Sequence, residues 1–193
     1  MPNERYRIDW RTPLGLLSAV EPTEAEIATH AAELARAYND PANAPLLGHT
    51  EEYSRDDVIE SYAELDKEGG RSFLAYRDGV LVGDADLRSL RGAGGEFAFM
   101  IGAPPKQGKG LGTRFATMIA EFGFRTLGLE RIYASIVPAN VASRRVFEKL
   151  GFGVDVSAAA REFAEEPADI VMAIDRATFT RLAECDGIEI ERR

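Results

Sequence analysis

Three glycines within five residues set the strongest local constraint on this chain. They lie in Gln107-Gly108-Lys109-Gly110-Leu111-Gly112-Thr113, between a strand-like run, Glu96-Phe-Ala-Phe-Met-Ile101, and a helix-like run from about Leu111 to Leu127. Glycines at a strand-to-helix turn leave main-chain N–H groups uncovered, and the helix adds its own unpaired N–H groups and the positive end of its dipole. Together these make a receptor for a phosphate or pyrophosphate. The P-loop template G-x-x-x-x-G-K-[ST] fails, because Ala103 stands five before Gly108 and Gly110 follows Lys109. The dinucleotide template G-x-G-x-x-G also fails, because Thr113 holds the place of its third glycine and Pro104-Pro105 intervenes after the strand. The pattern [QR]-x-x-G-x-[GA] fits at Gln107, Gly110 and Gly112.

That pattern resembles the acyl-CoA pyrophosphate loop of the GNAT (GCN5-related N-acetyltransferase) superfamily. A second block, Val137-Pro-Ala-Asn-Val-Ala-Ser-Arg-Arg-Val-Phe-Glu-Lys-Leu-Gly-Phe152, is similar to the family's other signature, an Asn opening a helix that ends in Lys-Leu-Gly-Phe. Its Asn-x-x-Ser form most resembles the ribosomal-protein alanine acetyltransferase-like branch. The likeness covers roughly residues 70 to 175. It implies acetyl-CoA as co-substrate and acetyl transfer to a primary amine, a protein N-terminus or a small molecule, by direct attack in a ternary complex. It places the cofactor on Met100, Ile101, Gly102, Gln107, Gly108, Lys109, Gly110, Leu111, Gly112, Thr113, Asn140 and Ser143. Dimers are common in such families, so a homodimer is compatible with it.

At 193 residues the length suits a single domain, here an N-terminal arm over residues 1–13 and a GNAT-like domain over 14–193. A net charge of −9 argues against nucleic acid and is compatible with a cationic acceptor. One cysteine and two histidines argue against a disulfide and a structural zinc site. The N-terminus lacks the apolar stretch of a signal peptide, and no apolar run is long enough for a membrane span, so a cytoplasmic protein is expected.

Hydrophobic period predicts strands over 14–20, 72–77, 80–90, 96–101 and 131–137, with weaker strands near Val154 and over 170–175. It predicts helices from Thr23 to about Tyr38, from about Ser54 to Lys67, from Leu111 to about Leu127, from Asn140 to Leu150, and a short one over 178–184. Asp78-Gly79 reads as a hairpin turn. The sum is an α+β, three-layer GNAT-like domain with a mixed central sheet and helices on both faces.

Acyl transfer to an amine needs a proton acceptor and, for the departing thiolate, a proton donor. Glu96 ranks first as base. Asp84 and Asp86, which share one face of a period-two element, come next, and Glu51, Glu52, Asp56 and Asp57 trail as surface acids. Many family members carry a Tyr seven residues after the motif Asn, but here that position is Phe147, so the resemblance passes the acid role to Ser143. Ser143 and Asn140 also suit helix capping. Lys106, Lys109, Arg144 and Arg145 are candidate phosphate contacts. Cys185 lacks a partner base, His30 and His49 read as structural or exposed, and Trp10 as an anchor. Phe147 keeps open a second reading, a non-catalytic acyl-CoA-binding sensor or scaffold. A nucleotide-dependent oxidoreductase is a distant third.

Overall fold

A computed structural model describes residues 4–48, 51–102 and 110–193. One nine-stranded sheet runs in the order β7-β8-β6-β5-β4-β3-β2-β1-β9. Its strands are β1 (Tyr6–Thr12), β2 (Gly15–Val20), β3 (Arg71–Arg77), β4 (Val80–Arg91), β5 (Gly94–Ile101), β6 (Arg131–Ile136), β7 (Gly153–Val154), β8 (Ile170–Asp175) and β9 (Ile188–Arg192). The helices are α1 (Glu24–Tyr38), α2 (Arg55–Lys67), α3 (Leu111–Arg125), α4 (Val141–Leu150), α5 (Ala158–Arg161) and α6 (Arg176–Leu182). The pairing of β5 with β6 is parallel and the other described pairings are antiparallel. This is the expected mixed α+β, three-layer architecture.

The local chemistry explains the boundaries. Thr23 and Glu26 close a capping box on α1, and Ser54 and Asp57 close another on α2. Asp78 and Gly79 both take positive φ in the β3–β4 turn, which matches the twist of a tight hairpin. Gly151 ends α4 in the left-handed conformation, at φ 94°.

Alternation sorts each strand between two cores. Ala85, Leu87, Phe97, Ile132 and Ile174 face α3, α4 and α6, whose Phe115, Phe122, Phe147 and Phe179 fill that side. Leu74, Leu81 and Met100 face α1 and α2. Tyr133, Val171 and Ala173 pack beside α5. Asp84 and Asp86 therefore stand on the face that α1 and α2 cover.

The N-terminal arm needs correction. Residues 6–12 are β1, inserted between β2 and β9, rather than an irregular extension. Polar residues alternate with Tyr6, Ile8 and Trp10, and a half-buried strand tolerates that pattern. Ile8 is fully buried, and the Trp10 indole N–H donates to the Asp186 carbonyl at 3.0 Å. The terminal β9 and the short α5 were not anticipated either. The last helix begins two residues before the expected start, because Asp175 caps it.

Glu21 ties this edge together. It is buried, accepts two hydrogen bonds from Arg71 at 2.5 and 2.6 Å, and accepts another from the Tyr6 N–H at 2.7 Å. Breaking a buried pair on one side leaves a desolvated charge and costs about 3–5 kcal/mol. Glu21→Ala should lower unfolding stability by that order in urea titrations. Arg192→Ala, which removes an exposed pair with Glu4, should cost under about 1 kcal/mol. Equal small losses would show that the Glu21–Arg71 pair does not hold the sheet edge.

Candidate active site

β5 and β6 part company early. They pair at Gly94, Gly95 and Glu96, opposite Arg131, Ile132 and Tyr133, and no further. β5 stays on β4 to Ile101, and β6 stays on β8 to Ile136. Hydrogen-bonding direction alternates along a strand. The Gly102 N–H donates to the Val82 carbonyl and the Ala93 carbonyl accepts from Arg131, so even-numbered residues of β5 face β4 and odd-numbered ones face β6. Phe99 thus directs its N–H and C=O into the gap. Met100 was among the cofactor contacts that the resemblance implied. The main chain of Met100 is turned to β4, and its buried side chain lines the cavity.

Two cavities meet at this fork. One, of about 270 Å³, is lined by Phe99, Met100, Ile101, Gly110, Leu111, Gly112, Thr113, Asn140 and Ser143. The other, of about 280 Å³, continues past Ser143 and Asn140 under α1 and α2 to Asp84 and Asp86. Ser143, Asn140, Phe99 and Met100 border both.

The start of α3 supplies the anion-binding end. Gly110 is its N-cap at φ 79°, with no side-chain cap among the described residues, and the first turn of the helix, Leu111, Gly112 and Thr113, lines the first cavity, where main-chain N–H groups begin a helix. At Gly112 an added Cβ would meet only ordinary contact, 3.4 Å from the Phe99 ring and 3.6 Å from Val146, so packing alone does not demand glycine there. Gln107, Gly108, Lys109, Lys106 and His49 lie outside the described residues.

Asn140 has two local tasks. Its Oδ1 accepts from the Ser143 N–H at 3.0 Å, capping α4, and its Nδ2 donates to the Leu46 carbonyl at 2.9 Å. The second bond pins the 3-10 turn Ala44–Leu46 across the junction of the two cavities. Ser143 is half-buried in the first turn of α4. Phe147 is buried against Phe97, Phe99 and Phe152, with ring centroids 4.9–5.7 Å apart.

The second cavity has an acidic floor that sequence reasoning saw only in part. Asp84 accepts hydrogen bonds from the hydroxyls of Tyr38, on α1, and Tyr62, on α2, the latter at 2.6 Å. Burial raises Asp84 to about 6 although both tyrosines oppose the shift. Burial and the Asp84 charge push both phenols well above their ordinary value, so they remain donors. The two tyrosines were missed because only the helix packing brings them to β4.

Arg88 is the one cation among the described residues lining this cavity. Its guanidinium donates to Glu96 at 3.3 Å and to Glu165, while its Nε lies 3.6 Å from Asp86 Oδ1. Glu96 is buried beneath Arg88, behind the cavity lining. Burial carries Glu96 to about 7 against the pull of Arg88, and burial likewise carries Asp86 to about 6.

The other candidates take ordinary roles. Asp57 caps α2, Asp56 pairs with Arg55, and Glu51 and Glu52 are exposed. Arg144 pairs with Glu148 on α4, and Arg145 is exposed. His30 packs edge-on to Tyr76. Burial, with Glu121 adding to it, pushes the Cys185 thiol up to about 12, so it is not a thiolate nucleophile at neutral pH.

Comparison with known proteins decides the family. Residues 21–153 match the model of the Acetyltransferase (GNAT) domain. The chain belongs to the GNAT acetyltransferase family. It is 33% identical over 87 residues to the spermidine N(1)-acetyltransferase of Escherichia coli K12, covering 44% of this chain and 46% of that protein. The chain thus spans about half the length of that relative. Mycobacterium smegmatis RimJ, solved with CoA-disulfide, superposes with a TM-score of 0.73 at 17% identity, covering 95% of this chain and 96% of RimJ. The aminoglycoside acetyltransferase AAC(6')-Ib, solved with coenzyme A, superposes at 0.70 and 22% identity over 86% of this chain and 98% of its own. A Vibrio cholerae protein described as a ribosomal-protein-serine acetyltransferase shares the fold, at a TM-score of 0.66 and 20% identity over 91% of this chain and 99% of its own. Among the described residues no helix is long and apolar enough to cross a membrane, and no cluster of His, Cys, Asp and Glu has metal-binding geometry.

The two bonds of Asn140 can be separated. Asp caps a helix as well as Asn does but cannot donate to the Leu46 carbonyl. In Asn140→Asp, amide hydrogen exchange should speed up several-fold over residues 44–48, while α4 keeps its protection. Unchanged exchange at 44–48 would show that the turn is held without this bond.

Proposed function

We propose that this chain transfers an acetyl group from acetyl-CoA to a primary amine. The observation that carries this reading is the meeting of two cavities at Ser143, Asn140, Phe99 and Met100. One ends in the bare start of a helix and the other in carboxylates. A pyrophosphate fits the first, and an amine fits the second. The family membership and the CoA-bound fold neighbours support the same cofactor.

In this reading the N–H groups of residues 110–113 hold the CoA pyrophosphate, with Gln107, Gly108 and Lys109 completing the loop. Phe99 and Ile101 lie along the pantetheine arm on the open side of β5, and Met100 and Gly102 shape its walls. The acetyl group sits in the fork, within reach of the α4 helix start. The neutral amine attacks the thioester carbon, a C–N bond forms, and the C–S bond breaks. Ser143 passes a proton to the departing sulfur and takes one back from solvent, while the carboxylate that received the amine proton releases it, so that amide and free thiol are the net products.

The amine proton goes to a carboxylate on the floor. Asp84 is the nearer acceptor, because it lines the cavity opposite Met100 in the strand register. Glu96, the first choice from sequence, stands one layer behind Arg88 and serves as a second acceptor at about 7. An acceptor must be ionised. Asp84 has its pKa raised to about 6, so kcat/KM should fall as pH drops through about 6. Asp84→Asn should lose that acidic limb and about 10²-fold in rate at neutral pH, the scale of one general-base contribution. Glu96→Gln should instead move a limb near pH 7. If Asp84→Asn leaves the profile intact and Glu96→Gln abolishes it, the order of the two is reversed.

Release of free thiol from acetyl-CoA in the presence of an amine panel tests the reading itself. Ser143→Ala should lower kcat by roughly 10²-fold with CoA affinity nearly unchanged. Tight CoA binding with no thiol release from any amine would favour the alternative, an acyl-CoA-binding sensor or scaffold.

A further inference from the structure

The acidic floor has a register that says more about the acceptor. Asp84 and Asp86 lie on one face of β4, two residues apart, which sets their Cα atoms roughly 6.5–7 Å apart. Asp84 is flanked by large neighbours, Leu74 on β3 and Met100 on β5. Asp86 is flanked by Ser72 and Ala98. Ser72, Ala98 and Asp86 all line the second cavity, so the small neighbours leave room beside this carboxylate. The Asp86 Oδ1 atom is buried and makes no hydrogen bond. Its nearest cation, Arg88 Nε at 3.6 Å, is too far for one, and that guanidinium is already shared with Glu96 and Glu165. The described lining thus sets three carboxylates, with Glu96 behind them, against one guanidinium. A buried carboxylate oxygen without a donor is costly and is relieved by a donor that carries positive charge.

The geometry points to a second ammonium as that donor: the acceptor is a slender primary amine with another cationic nitrogen, seated on Asp86 while its reacting nitrogen lies at Asp84 and the fork. This rests on the acetyl-transfer reading and adds a substrate class to it. The spacing of the two carboxylates suits an alkyl chain of the length found in 1,3-diaminopropane or 1,4-diaminobutane. Tyr38 and Tyr62 narrow the roof over Asp84, so a thin alkyl chain passes where a branched one does not.

The test compares those two diamines with propylamine and butylamine, with kcat/KM corrected for the fraction of neutral amine. The diamines should be preferred by tenfold or more. Asp86→Asn should raise the diamine KM tenfold or more and bring the diamine-to-monoamine ratio to about one. A calorimetric titration of diamine into the CoA-bound protein, which needs no turnover, should show the same loss of affinity. The variant is expected to fold, because the native site disfavours the Asp86 charge and an amide removes it. A thermal melt checks this, and Asp86→Glu gives a second variant that keeps the charge and should retain part of the preference. Equal use of monoamines and diamines, a preference for the α-amine of neutral peptides, or an Asp86→Asn ratio that does not change would overturn the inference and leave acetyl transfer standing. Acetylation of no amine, with diamine binding still dependent on Asp86, would instead remove the acetyl-transfer reading and keep the subsite.

Discussion

The parting of β5 and β6 after Glu96 and Tyr133 is the constraint on which the site depends. A parallel pair with more ladder would leave no gap for a cofactor and no N–H of Phe99 facing it. The gap persists because each strand is held from its outer side, β5 by β4 and β6 by β8. On the α3–α4 face, Phe147 fills the space where the strands diverge, wedged against Phe97 and Phe99. A buried aromatic of this size contributes several kcal/mol through burial and contact, and losing it leaves a cavity. Phe in place of Tyr at this position therefore has a structural account. The side chain is a wedge in an apolar cluster, where a hydroxyl needs a partner.

Opposite that wedge, the carboxylates are arranged by burial rather than by attraction. Three acids, Asp86, Glu96 and Glu165, gather around the Arg88 guanidinium with Asp84 beside them, and burial is the largest influence on each of Asp84, Asp86 and Glu96. Desolvation outweighs the Arg88 pull at Glu96, although the two are 3.3 Å apart. Such a floor is a poor stability device. Buried ion pairs seldom repay their dehydration, and here the acids outnumber the base. Strain of this kind concentrates where a ligand supplies the missing charge.

Much of this was legible in the sequence because it is local. The capping boxes at Thr23 and Ser54, the Asp78-Gly79 turn and the αL glycine at 151 each need only a few adjacent residues, and the structure has them where spacing puts them. The GNAT signatures are local in the same sense. The errors are non-local. β9 is a strand because β1 is its neighbour, across nearly the whole chain, while β1 is held by β9 on one side and by β2 on the other. Neither Tyr-Arg-Ile-Asp-Trp-Arg-Thr nor Ile-Glu-Ile-Glu-Arg has the apolar content to announce that by itself. The acidic wall of the second cavity was read only in part for the same reason. Period two put Asp84 and Asp86 on one face, but Tyr38, Tyr62 and Glu165 join them only through helix packing and a loop that follows α5.

Asp84 and Glu96 show why rank order from sequence is weakest for proton transfer. Both are acids on the same sheet face, and both have pKa values raised by burial. Their difference lies in what stands between each and the cavity. For Asp84 it is nothing on one side and two phenol donors on the other. For Glu96 it is Arg88, whose positive charge must be passed before a proton arrives. A proton moving toward Glu96 meets a guanidinium that repels it, while one moving toward Asp84 meets a carboxylate steadied by neutral donors. The two residues share a pKa range but not a path, and the path is set by the Arg88↔Glu96 pairing in the β4–β5 register. Slipping either strand by one residue would turn its own acid away from this face, to the one that α3 and α4 cover.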